Sequence, residues 1–295
     1  MSREIERTRR ARLCVVTAAE IEFKAVAGLL ARRSSSSEQG MRVCRGRLAN
    51  NQITLLKSEI GAAGFAERLT THLAATRYDA LLVIGLAGGL DPLLKTGDAV
   101  VYDLCLRARA AAGRRDSREK RDAREENVSL ACDPTLSKLL VEALRAAGRS
   151  CAHGVGLTIG RVVAEAEGKL TLGKQYGAAA VDMETYEVLA VCARLGLPAS
   201  AMRVVLDEAS CEIPDFSRAL GADGSLKVWP LMQVLVARPV VSVHFCYRLR
   251  QAMRALRQAA GVSLGVGPMV KPSREGGVGR QSQSPPTVDK SPLAR

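Results

Sequence analysis

Three carboxylates placed just beyond apolar runs are the residues of this chain best suited to chemistry. Glu22 stands a few residues past "RLCVVT", Glu184 follows "AAAV", and Asp207 closes "AMRVVL". Such runs, bounded by turn residues, read as buried strands. In open α/β sheets, ligands gather beyond the carboxyl ends of strands. A protonated carboxylic acid there can protonate a leaving group, while an ionised one activates water or stabilises a cationic sugar. An ionised Glu can also accept from two ribose hydroxyls at once. The set therefore suits cleavage at an acetal-like carbon. Each member also has a plain structural reading. Glu184 at a helix start is favoured by the macrodipole alone. Asp207 can serve as a turn or cap residue. Glu22 shares its helix with Glu20, and one of the two can simply face water.

The elements that must position these groups alternate strand and helix. "RLCVVTA" reads as a strand, "EIEFKAVAGLLARR" as a helix, and Ser34 to Gly40 as a polar turn. Strand "QITLLKSEIG", helix "AGFAERLTTHLAATR", and strands "ALLVIGLAGG" and "DAVVYDLCL" follow. Residues 107–126 are charged without apolar periodicity and read as a solvated loop insertion. "DPTLSKLLVEALRAAG" is a helix with Asp133 as cap, Pro134 in its first turn and Gly148 as its stop. "CAHGVGLTIG" is a strand pair or one bent strand. "GAAAVDMETYEVLAVCARLGLPASAMRVVLDEAS" reads as a βαβ crossover, with Asp182 capping its helix and Gly196 ending it. A right-handed crossover puts Glu184 and Asp207 on one rim. The expectation is one α/β domain over residues 12–260, a basic N-terminal arm over 1–11 and a disordered tail over 261–295.

Composition narrows the function classes. The net charge is +13 over 295 residues. Residues 1–12, 107–126 and 244–295 account for all of it, at +3, +3 and +7, so the remaining body is neutral. Aromatics make up 3 % of the chain, too few for base-stacking recognition, and nucleic acid is not an expected partner. Eight Cys form no CxxC pair and only three His are present, so no metal site is expected. The N-terminus is charged and runs straight into a strand, and no apolar run reaches membrane-spanning length. A cytoplasmic setting with reduced thiols is expected. "GLAGG" at 85–89 fits neither GxGxxG nor GK[ST], so it is no dinucleotide or P-loop fingerprint.

Four segments, "VVTAAEIEFKAV", "GLAGGLDPLLKTGDAVV", "AVDMETYEVLAVCARLGLP" and "RVVLDEAS", carry a collinear resemblance over residues 12–215. Together they resemble the purine nucleoside phosphorylase and nucleosidase superfamily, including the methylthioadenosine/S-adenosylhomocysteine nucleosidases. The resemblance implies a three-layer αβα sandwich with a central mixed β-sheet. It implies that Glu22 activates the water nucleophile and that Asp207 protonates the departing purine. It places Met183 and Glu184 on the ribose, with Ala87 and Gly88 as a backbone wall beside the sugar. Val163 and Ala164 fall where the family packs the base and bonds it through main chain. No cofactor is implied beyond inorganic phosphate as a co-substrate of phosphorolysis, and a homo-oligomer is implied.

The departures from that pattern are apolar. Leu86 and Leu206 stand where many nucleosidases have Ser, and Val163 stands where an aromatic packs on the base. Phosphorylases hold phosphate with Arg, and here only Arg68 and Arg203 remain as anion contacts, Arg203 lying inside a strand. The segment from Leu206 to Pro239 resembles the hopanoid-associated phosphorylase-like branch. That likeness implies removal of adenine from an adenosyl-hopane precursor, a lipid-linked adenine nucleoside. The alternatives are a methylthioadenosine/S-adenosylhomocysteine nucleosidase and a non-catalytic nucleoside-binding protein. In the C-terminal helix Phe245, Leu249, Met253 and Leu256 share one face, and Arg250, Arg254 and Arg257 form a basic stripe. This helix can pack on the domain, or lie peripherally at the inner face of the membrane.

Overall fold

Long apolar runs become strands here because both of their faces are covered. The computed structural model describes residues 10–58, 64–108, 128–216 and 236–266. Its elements are β1 (Arg12–Thr17), α1 (Glu20–Ala27), β2 (Ala31–Glu38), β3 (Met41–Leu48), β4 (Asn51–Lys57), α2 (Phe65–Ala75), β5 (Ala80–Gly89) and β6 (Ala99–Arg107). Then follow β7 (Val128–Ala131), α3 (Pro134–Ala146), β8 (Cys151–Thr158), α4 (Ala166–Tyr176), β9 (Ala178–Asp182), α5 (Thr185–Leu195), β10 (Ala199–Asp207) and α6 (Pro239–Gly265). The expected caps form: the Asp133 carboxylate accepts from the Leu136 N–H at 2.9 Å, and Gly196 closes α5 at φ 64°.

The architecture is the three-layer αβα sandwich around a mixed sheet. Helices α1, α3 and α6 cover one side of the sheet and bury Phe23, Leu140 and Leu256. Helices α2 and α5 cover the other and bury Leu69, Leu189 and Cys192. β1 pairs parallel to both β4 and β5, and β4, β3 and β2 continue as an antiparallel meander. Beyond β1 the sheet does something the sequence did not announce. β5 pairs with β10, β10 with β6, β6 with β8, β8 with β9, and β9 returns to the last two residues of β5. Five strands thus close on themselves.

Ring closure corrects the crossover reading. β10 runs parallel to β5, but β9 runs antiparallel to it, with Gly88 opposite Val181. The unit β9–α5–β10 is therefore not a parallel crossover, because β6 and β8 lie between its two strands. Two other expectations change. Residues 31–38 form an exposed edge strand rather than the end of a helix and a turn, since α1 stops at Gly28 and pairing with β3 extends the polar run. Residues 261–265, expected in the tail, belong to α6, which buries Leu264.

Along α6, Ala252, Leu256, Ala259 and Ala260 are buried, while Arg250, Arg254 and Arg257 are exposed. Its apolar face packs on the domain, as one of the two readings had it. Among the described residues no helix is long and apolar enough to cross a membrane. Of the arm expected over 1–11, residues 1–9 lie outside the described residues, as do 109–126 of the charged insertion expected over 107–126, 217–235 of the segment from Leu206 to Pro239, and 267–295 of the tail; Arg107 closes β6.

Candidate active site

Gly85 is the point on which the site converges. It lies on β5 directly opposite Arg203 of β10. A Cβ added at Gly85 would collide with the Arg203 guanidinium and stand 2.9 Å from Glu22 Oε1. Only the missing side chain lets a cation from β10 and a carboxylate from α1 meet there.

Glu22 is buried at the first turn of α1. Its Oε2 accepts N–H bonds from Ala18 (3.0 Å) and Ala19 (2.9 Å), and its Oε1 accepts from Leu86 N–H (2.7 Å). Three backbone donors therefore fix this carboxylate between the end of β1 and the end of β5. Leu86 has no hydroxyl, yet its main chain still orients the group.

Arg203 is 1 % exposed, and a cation that deep requires acidic partners. Its Nε lies 3.3 Å from Asp182 and its Nη2 lies 3.5 Å from Glu184 Oε2. It also donates to Thr185 Oγ1 at 2.7 Å from Nη2. Asp182 is the most heavily bonded carboxylate in the molecule's centre. It accepts from Tyr102 OH (3.1 Å), Thr158 Oγ1 (2.9 Å), Thr185 Oγ1 (2.5 Å) and the N–H groups of Glu184 (3.1 Å) and Thr185 (3.0 Å). Burial pushes Asp182 up, but Arg203 and these hydrogen bonds outweigh it and hold the carboxyl below its ordinary value. Burial likewise opposes the Arg203 charge and is outweighed by the carboxylates of Asp182, Glu184 and Glu22 together. Tyr102 is pushed well above the usual phenol range, first by burial and then by Asp182, so it stays a neutral donor. Its ring fills the place of a side chain at Gly156. This network orients Glu184, which opens α5 and is 11 % exposed at its side chain.

Asp207 arrives by a different device. The β10–β5 register slips between Val205 and Asp207, so Leu206 is an extra residue and Asp207 pairs with Gly88. A Cβ at Gly88 would lie 3.5 Å from Asp207 Oδ2. Asp207 is 2 % exposed and makes an ion pair with Lys169 of α4, itself fully buried. Burial pushes the Asp207 carboxyl up and Lys169 offsets this only in part, so the group sits above its ordinary value. Lys169 also donates to the carbonyls of Cys211 (2.6 Å) and Glu208 (3.4 Å). With Ile213 N–H on the Ala164 carbonyl at 3.0 Å, this pins the segment after β10 to the turn before α4.

The candidates named from sequence are thus placed as follows. Glu22, Glu184, Ala87 and Gly88 gather around β5. Met183 lies between Asp182 and Glu184 and is half-buried. Val163 is buried beside Leu90, Leu157 and Ile159, and the Ala164 carbonyl is already engaged. Leu86 and Leu206 are partly buried against the α1–α3–α6 core. Sequence reasoning missed the central role of Arg203, which it treated as a stray anion contact. It saw Asp182 only as a cap and did not see Lys169, for which a helical pattern in "AEGKLTLGKQY" was the sole available signal. Arg68 stands in the first turn of α2, with a buried Nε that has no hydrogen-bond partner among the described residues.

The model of the phosphorylase superfamily matches residues 12–235. The chain belongs to that superfamily. It is an enzyme of glycosyl-bond cleavage, as the resemblance implied. Solved structures of superfamily fold surround it. The 5′-methylthioadenosine/S-adenosylhomocysteine nucleosidase of Neisseria meningitidis, in complex with methylthio-immucillin-A, is 20 % identical at TM-score 0.66, covering 86 % of this chain and 99 % of that one. Futalosine hydrolase of Helicobacter pylori is 18 % identical at TM-score 0.66, covering 86 % and 97 %. The S-adenosylhomocysteine nucleosidase of Streptococcus pyogenes, with 5-methylthiotubericidin, is 17 % identical at TM-score 0.65, covering 87 % and 97 %. At these identities the likeness establishes the fold of this superfamily member, and its substrate must be argued from its own residues.

Proposed function

We propose that this phosphorylase-superfamily chain cleaves the N-glycosidic bond of an adenine nucleoside bearing an apolar 5′ substituent, of adenosyl-hopane type, and releases adenine in hopanoid biosynthesis. The observation that carries the reaction is the contrast between two buried carboxylates. Asp207 is held above its ordinary value, which suits an acid that protonates the departing purine. Glu22 is fixed in orientation by three N–H donors, which suits a carboxylate that positions a water by accepting its hydrogen bond. Glu184, oriented from below by Arg203 and Asp182, accepts the ribose hydroxyls, with Met183 beside it and Ala87 and Gly88 along the sugar. Positive charge developing on the ribose then faces Glu184 and Glu22. Val163 and Ala164 form the base side. The Ala164 carbonyl accepts from the Ile213 N–H through one lone pair and keeps its second for an adenine donor.

The apolar substituent is supported by Leu86 and Leu206, which flank the carboxylates and keep part of their surface exposed. A second reading, a methylthioadenosine or S-adenosylhomocysteine nucleosidase, is favoured by the solved neighbours. If phosphate replaces water, Arg68, whose Nε has no hydrogen-bond partner among the described residues, is the group to hold it. We further propose a homo-oligomer and a peripheral membrane contact, the latter supported by the exposed Val240, Val243 and Tyr247 on the first half of α6.

The test is adenine release from adenosyl-hopane and from methylthioadenosine, with and without phosphate. Free ribose product marks hydrolysis, and ribose 1-phosphate marks phosphorolysis. Asp207→Asn must abolish release, and an unchanged rate in that variant overturns the assignment. A preference for methylthioadenosine selects the second reading.

A further inference from the structure

A cavity lies at the opposite end of the sheet from the carboxylates. Glu22 follows the last residue of β1, whereas this cavity opens at its first, Arg12. Its volume is about 270 Å³, and Arg12, Arg32, Arg45 and Arg47 line it, with Thr54 and Tyr78 among its polar walls. Strand register builds the cluster. Arg12 of β1, Gln52 of β4 and Arg47 of β3 are mutual partners across three neighbouring strands. The next row on the same face holds Thr54 of β4, Arg45 of β3 and Ser34 of β2. Adjacent strands lie about 4.8 Å apart, so Arg12 and Arg47 stand roughly 10 Å from each other across Gln52. Arg32 enters from β2 at a break in register, with φ 51°.

Among the described residues the charges of this cluster are only partly balanced. Arg45 is paired with Glu38. The Asp79 carboxylate accepts from the Arg12 backbone N–H at 2.8 Å. Among the described residues no carboxylate makes an ion pair with the guanidinium of Arg12, Arg32 or Arg47. Like charges gathered on one face of a sheet repel each other. Arg12 and Arg47 do not lie on the edge strand, so protection of an open edge does not account for them. Guanidinium groups take phosphate oxygens in bidentate fashion, and several around one concavity fit a ligand with more than one negative charge.

We propose that this cavity is a binding site for a diphosphate-type anion, held by Arg12, Arg32 and Arg47 and separate from the nucleoside site. The anion comes either from a soluble diphosphate or from the headgroup of an anionic lipid.

Binding of sodium pyrophosphate to the full chain at low salt, followed by calorimetry and thermal denaturation, tests the site. The wild-type protein is expected to bind and be stabilised. The double variant Arg12→Gln, Arg47→Gln is expected to lose about tenfold in affinity per arginine removed. It should keep its unliganded melting temperature and its adenine release. Glu184→Gln, which alters the nucleoside site, should still bind pyrophosphate normally. Sedimentation with cardiolipin vesicles, whose headgroup carries two phosphates, separates the sources: loss of vesicle binding in the double variant assigns a lipid headgroup, and pyrophosphate binding without vesicle binding assigns a soluble ligand. The proposal is overturned if neither probe binds. It also fails if binding survives in the double variant, or if it disappears in Glu184→Gln.

Discussion

Arg203 and Gly85 face each other across β10 and β5, and the guanidinium occupies the space that a side chain at 85 would need. Gly85→Ala is therefore expected to displace both Arg203 and Glu22. A misplacement of this kind costs about a hundredfold in rate. Steady-state kinetics on the adenine nucleoside reads the effect. Gly88→Ala is the milder comparison, because its Cβ would meet Val181 at 3.2 Å and Asp207 only at 3.5 Å. Equal rates for Gly85→Ala and wild type would show that the site does not depend on this contact.

Arg203→Met leaves Asp182 and Glu184 without their shared cation. Breaking a buried pair in this way costs about 3–5 kcal/mol. Chemical denaturation should show a lower midpoint with an unchanged slope. Arg203→Lys should recover only part of the loss, since one ammonium cannot bond Thr185 through two nitrogens as Arg203 does.

Lys169 holds Asp207 in an ion pair and lowers a carboxyl that burial has raised. The acid must be protonated to serve, so activity falls as pH rises through its folded-state value. In Lys169→Met the lowering influence is gone and this limb should move to higher pH. In Asp207→Asn the limb should vanish along with activity. The stability sign follows from the same shift. A carboxyl raised on folding favours the native state most below its unfolded value near about 3.9, and that advantage is lost as pH rises through the folded value.

Asp182 has the opposite sign. It is held below its ordinary value, so its contribution is full above about pH 4 and is lost as pH falls through its folded value. Asp182→Asn should be less stable than wild type by about 1–3 kcal/mol at neutral pH. The gap should narrow in acid, as measured by denaturation across a pH series.

Much of the framework was readable because strand burial writes continuous apolar runs. β1, β5 and β10, the caps of α3 and α5, and the three carboxylates all came from such patterns. The closure of the ring did not, because nothing in "AAAVD" distinguishes an antiparallel neighbour of β5 from a parallel one. Arg203 was hidden for a related reason. In sequence it interrupts an apolar strand, and its meaning depends on a glycine 118 positions earlier that is adjacent only in space. Lys169 and Asp207 are joined in the same way, through a helix of mixed polarity and a one-residue slip at Leu206 that no periodicity reports.

β2 carries a consequence beyond the site. The ring of β5, β10, β6, β8 and β9 has no free margin between these strands, whereas among the described residues the meander stops at β2 with one flank unpaired. An open flank of this kind is where a second chain can add a strand and begin aggregation. "ARRSSSSE" is poorly suited to such an addition: it is polar throughout, charged at both ends and interrupted by a register break. The run that reads as a turn in sequence is thus a poor template for strand addition, and replacing its serines with valines is expected to lower solubility.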